Sequence, residues 1–126
     1  MTRRAKRVDA RSGKETAGFY AGSFALAMAL DRSSLWIAGA DAGQLWKIDP
    51  VTGATQLTAR AGHGTDAIAL GAGSLWLAGW IDHTLTRVEA ASGDVLATIP
   101  IDGQPVDLAV RDGIVWVVVQ KAAAQG

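Results

Sequence analysis

Ser74-Leu75-Trp76-Leu77-Ala78-Gly79 is the stretch on which the fold turns, because near-copies of it stand forty residues to either side. Upstream is Ser34-Leu35-Trp36-Ile37-Ala38-Gly39, and downstream is Ile114-Val115-Trp116-Val117-Val118-Val119. Trp36, Trp76 and Trp116 therefore recur at a spacing of forty, with no gap needed. A period of this size marks a stacked or radial repeat, in which each unit buries its apolar face against its neighbours.

A second block repeats in phase with the first. Lys6-Arg7-Val8-Asp9-Ala10-Arg11-Ser12-Gly13 matches Trp46-Lys47-Ile48-Asp49-Pro50-Val51-Thr52-Gly53, and both match Thr86-Arg87-Val88-Glu89-Ala90-Ala91-Ser92-Gly93. Chemistry explains the spacing. A carboxylate here can accept hydrogen bonds from backbone amides of a turn, and glycine supplies the positive φ that closes a hairpin. The acids thus read as structural.

Four strands fit each period. In the middle copy they are expected over Thr65–Leu70, Ser74–Trp80, His83–Glu89 and Asp94–Ile99. The first strand is small and apolar, as suits a crowded axis with both faces covered. The second alternates large and small residues, with its tryptophan expected to pack between neighbouring sheets. No 3.6-residue apolar stripe predicts a helix. Four short antiparallel strands per forty residues define a β-propeller blade. The fold class expected is therefore all-β: four-stranded antiparallel blades in a 40-residue repeat.

The phase of the repeat predicts a half blade over about residues 4–20, full blades over 25–60 and 65–100, a second half blade over 105–120, and a tail at 121–126. That is three blades' worth of strands, whereas a closed propeller needs about four to eight. The expectation is an incomplete propeller, either part of a larger one or completed by self-assembly. Two copies would supply six blades.

The blades resemble the YVTN-type repeat family and the related quinoprotein-like and streptogramin-lyase-like propellers. The resemblance rests on Gly73-Ser74-Leu75-Trp76-Leu77-Ala78, Leu85-Thr86-Arg87-Val88, the run Ser92–Pro100 and Gly103-Gln104-Pro105, and it spans roughly residues 4–120. These families share blades while differing in chemistry. Quinoprotein-like blades follow Asp-x-x-Thr-Gly with a docking tryptophan. Asp49–Gly53 fits that motif but Thr55–Ala59 lacks the tryptophan, so no cofactor is expected. The lyase-like relatives place a catalytic histidine near a magnesium ion on one face, and no motif here assigns that role to either histidine.

Composition narrows the remaining classes. With 49% hydrophobic residues, 19% charged residues and 15 glycines, 126 residues suit one β-rich globular domain and argue against disorder. A net charge of zero supplies no global field for nucleic acid or an anionic membrane, so neither partner is expected. The basic opening (Arg3, Arg4, Lys6, Arg7, Arg11, Lys14) reads as a solvated strand face, since no aromatic stacking platform accompanies it. The absence of cysteine excludes disulfides, thiolate nucleophiles and Cys-based zinc sites. Ala17–Leu30 superficially suits a signal-peptide core. Asp9 and Glu15 interrupt its basic flank, and it aligns with later blades, so it reads as strand. It is too short to span a bilayer, which leaves a cytoplasmic location as the default.

Candidate site residues are those where one copy departs from the others. Trp80-Ile81-Asp82-His83 replaces Ala40-Asp41-Ala42-Gly43, and Gly62-His63-Gly64-Thr65-Asp66 replaces Gly22-Ser23-Phe24-Ala25-Leu26. His63, Asp66, Trp80, Asp82 and His83 are thereby expected at one end of one blade, as a ligand- or partner-binding rim. A second assignment gives either histidine acid–base work beside Asp66 or Asp82. No metal site is expected, because the histidines and acids lack paired local spacing. The function expected is a non-catalytic binding or scaffolding module, its partner another copy or another protein. A lyase acting on a small molecule at the propeller mouth is the alternative.

Overall fold

The computed structural model describes residues 3–20, 25–31, 33–39, 43–62, 64–71 and 73–121. They form twelve strands in four antiparallel sheets. Strands β1 (Arg4–Val8) and β2 (Glu15–Tyr20) make a two-stranded sheet. The next sheet holds β3 (Ala25–Leu30), β4 (Leu35–Gly39), β5 (Gln44–Ile48) and β6 (Thr55–Arg60), in that order. A second four-stranded sheet follows with β7 (Thr65–Gly71), β8 (Ser74–Gly79), β9 (Thr84–Glu89) and β10 (Val95–Pro100). Strands β11 (Gln104–Arg111) and β12 (Ile114–Gln120) form the last pair. The chain is thus all-β and an incomplete propeller, with two whole blades between two half blades.

Each repeated motif has a matching geometry. Gly13, Gly53 and Gly93 have φ of 71°, 78° and 81°, and each donates its backbone N–H to the carbonyl of the acid four residues earlier at 2.8 Å. The Asp9 carboxylate accepts from the amides of Arg11 and Ser12 at 2.8 and 2.9 Å, and that of Asp49 from Val51 and Thr52 at 2.7 and 3.1 Å. Glu89 keeps the backbone bonds of the turn, but its longer side chain makes no such contact. Each of β3, β7 and β11 breaks register near its start, between Ala25 and Ala27, Thr65 and Ala67, and Pro105 and Asp107. A bulge at this point bends the strand where it enters the blade.

The core lies between sheets. Trp36 is fully buried among Ala38, Leu45, Leu75, Leu77 and Val88. Across the next junction Trp76 packs with Ala67, Ala78, Leu85 and Leu108. Trp46 packs with Ala5, Ile37 and Ile48 against the first half blade. A cation lies over each enclosed tryptophan: Lys47 Nζ is 5.5 Å from the Trp36 ring centroid and the Arg87 guanidinium 5.4 Å from that of Trp76.

Two expectations need correction at the open sides. Trp116 is not core: it is 70% exposed, because among the described residues no sheet stacks on β12 as β7–β10 stacks on Trp36. Nor are both faces of every inner strand covered. Met28 and Leu30 of β3 are 55% and 64% exposed, whereas Ile68 and Leu70, their counterparts on β7, are partly buried against the preceding blade.

Candidate functional site

At one end of the sheets, the β8–β9 turn carries Trp80, Asp82 and His83. The turn is tied on both sides. Trp80 N–H donates to Gly64 O at 3.1 Å, Ile101 N–H donates to His83 O at 2.9 Å, and the Gln104 side-chain amide donates to Trp80 O at 3.3 Å. Thr84 Oγ1 donates to the Asp82 carboxylate at 2.8 Å. His83 has φ 56°, the left-handed conformation that Gly43 takes with φ 64° forty residues earlier. The histidine therefore replaces a glycine at a position that favours glycine, at a cost of about 1 kcal/mol. His83 lines a cleft of about 230 Å³ with Gly103, Gln104, Gln120 and Lys121. Lys121 Nζ donates to Asp102 at 2.6 Å on the same rim, which holds the Asp102 carboxyl below the usual range. Trp80 and Ile81 stand out at the tip, 42% and 47% exposed.

Asp66 belongs to a different part of this end. It sits at the β7 bulge, half-buried, near the inner strands rather than on the turn. Burial pushes its carboxyl above the usual range, and the charge of Asp107 on β11 pushes it further, against a lowering hydrogen bond from its own backbone amide. One Asp66 carboxylate oxygen and the neighbouring Thr65 hydroxyl are buried without a hydrogen-bond partner. Asp107 was not expected from sequence. It stands forty residues after Ala67 and eighty after Ala27, so the repeat does mark it as the one polar copy at that position, directly after the β11 bulge.

The structure thus gathers Trp80, Asp82 and His83 on one turn and sets Asp66 apart, within the electrostatic reach of Asp107. Among the described residues no hydrogen bond joins His83 to Asp66 or Asp82. His63 lies outside the described residues. No group of three or more metal-ligating side chains occurs among the described residues, and no helix there is long and apolar enough to cross a membrane.

No family model matches the sequence, and no curated protein does. Solved structures match in fold. Hydrazine synthase of Kuenenia stuttgartiensis superposes with a TM-score of 0.82 at 15% identity, over 94% of this chain and 36% of that one. Virginiamycin B lyase of Staphylococcus aureus gives 0.76 at 19% identity, over 92% and 42%. Glutaminyl cyclase of Myxococcus xanthus gives 0.72 at 15% identity, over 92% and 53%. The blades are those of β-propellers, and this chain spans between about a third and a half of the solved chains it matches. Three different reactions appear among those names, so a shared fold does not select a chemistry here.

Proposed function

We propose that the chain is a non-catalytic binding module, a set of propeller blades that presents a partner-recognition rim at the end carrying Trp80 to His83. One observation carries it. Two exposed apolar side chains, Trp80 and Ile81, stand on a turn pinned by three hydrogen bonds, flanked by Asp82, Asp102, Gln104 and Lys121. A fixed aromatic anchor ringed by polar groups is the common form of a protein-binding hot spot, because little ordering entropy is lost when it docks. The cleft beside His83 accepts part of a partner's side chain.

Selection of a random peptide library on the purified chain tests this. Recovered peptides should lose at least tenfold in affinity for Trp80→Ala, and little for Val51→Ala, a still more exposed apolar residue away from the rim. Peptides indifferent to Trp80→Ala would contradict the proposal. The alternative, lyase activity, is favoured by the likeness to virginiamycin B lyase. It requires that the chain consume virginiamycin B or a related small molecule and that His83→Ala abolish turnover while leaving the fold intact. A binding module leaves the compound unchanged.

A further inference from the structure

The two open sides of the stack are complementary to each other. In the full blades, β4 pairs with β5 through Leu35↔Ile48, Trp36↔Lys47, Ile37↔Trp46 and Ala38↔Leu45, and β8 pairs with β9 through the same positions forty residues on. Carrying the β4 partners forward by two repeats and the β5 partners back by one pairs Val115 with Val8, Trp116 with Arg7, Val117 with Lys6 and Val118 with Ala5. Those residues occupy the edges of β12 and β1, each of which pairs with a strand on one side only among the described residues.

The half blades already hold their groups where a whole blade would. Lys47 reaches across to Ala90 O at 3.0 Å, and Arg7 reaches across to Pro50 O, forty residues earlier, at 3.3 Å. Arg7 is thus positioned like Lys47 but has no tryptophan beneath it. Trp116 is positioned like Trp36 but, among the described residues, has no cation above it and no further sheet against it.

The place of the missing tryptophan is open. A largely apolar cleft of about 280 Å³ lies between β1–β2 and the first full blade, with Arg7, Met28, Leu30, Leu35 and Pro50 on its walls. At the next junction their counterparts Lys47, Ile68, Leu70, Leu75 and Ala90 surround Trp36 or bond the residue beside it. A third contact agrees. A Cβ on Gly93 would meet Ala59 and Leu57 of the preceding blade at 3.0 Å, whereas one on Gly13 would meet nothing within 4 Å. The surface that the repeat assigns to the Gly13 turn is β10, where Val95, Leu96 and Ile99 are 48%, 50% and 38% exposed.

We propose that a second copy of this chain completes the stack: β12 of each copy pairs with β1 of the other, Trp116 seats in the cleft beside Met28 and Leu35, and Arg7 of the receiving copy covers its ring. One chain cannot make this junction with itself, because three blades fall short of closure. Two copies make it twice, related by a two-fold axis along a ring of six blades. The proposal rests on the chain being an incomplete propeller and is independent of whether the Trp80 rim binds anything.

Cysteine pairs test the register, since the chain has no cysteine of its own. Directly opposite positions lie within disulfide reach, while a shift of one residue turns a side chain to the other face. Val8→Cys with Val115→Cys, and Ala5→Cys with Val118→Cys, should oxidise to covalent dimers. Ala5→Cys with Val117→Cys should not. Arg7→Glu should raise the dimer dissociation constant tenfold or more, and Trp116→Ala a hundredfold or more, with circular dichroism unchanged. Equal cross-linking of all three pairs, or none in any, would overturn the proposal. So would cross-linked ladders in place of a discrete dimer, which would mean open head-to-tail addition. Loss of peptide binding in Trp80→Ala with no dimer would reject this junction and leave the binding rim standing. A dimer with no peptide recognition would do the reverse.

Discussion

Two aspartates are shifted in opposite directions in this fold. Two backbone amides stabilise the Asp9 carboxylate and lower its pKa. The unfolded chain therefore binds more protons around the ordinary aspartate value of ~3.9. Stability contributed by Asp9 is complete above that pH and is lost as pH falls through the lower folded value. Asp66 is the reverse. Its carboxyl is raised, by burial first and Asp107 second, so the folded chain keeps its proton longer and the penalty appears as pH rises through the raised value. Asp66→Asn is expected to raise the urea midpoint at pH 7, with the gain vanishing near pH 3, where the wild-type carboxyl is protonated in both states. An unchanged midpoint at pH 7 would contradict the burial penalty. His83→Gly should stabilise the chain by about 1 kcal/mol by relieving the left-handed backbone, measured by the same titration. A destabilised variant would mean that the imidazole packs rather than stands at the cleft.

Turns and strands show what sequence could and could not reveal. The acid-to-glycine spacing at Asp9–Gly13, Asp49–Gly53 and Glu89–Gly93 was legible because a local hydrogen-bond pattern dictates both residue types. The tryptophan period was legible for a similar reason, since one residue type fills one place in each blade. Burial was not legible, because Trp36 and Trp116 hold the same place in the repeat and differ only in whether a further sheet covers them. The Asp66–Asp107 proximity was also hidden: it depends on two inner strands packing side by side with a bulge in each. The turn glycines make a quantitative case. Gly13→Ala meets no neighbour and should cost about 1 kcal/mol for its positive φ alone, whereas Gly53→Ala also runs into the Phe19 ring and should cost about 2 kcal/mol or more. Equal thermal shifts in the two variants would contradict the packing of the Gly53 turn on β2.

At the scale of the molecule, the stack has a closed interior and two unsatisfied sides. Trp36→Ala empties a fully enclosed site and should cost about 3–5 kcal/mol at any protein concentration. Trp116→Ala should leave the isolated chain nearly as stable and act only through association, so its effect on the melting temperature should appear with increasing concentration. An exposed strand reading Ile114-Val115-Trp116-Val117-Val118-Val119 has the composition of an aggregating edge, which pairing with a charged partner strand would remove. β1, with Arg4, Lys6 and Arg7, is such a strand. The most direct measurement is the solution mass of the unaltered chain by light scattering during size-exclusion chromatography. A single species at twice the 13.1 kDa chain mass is the expected result. A well-folded species at the single-chain mass across the micromolar range, or an open series of larger ones, would contradict the closed two-copy ring.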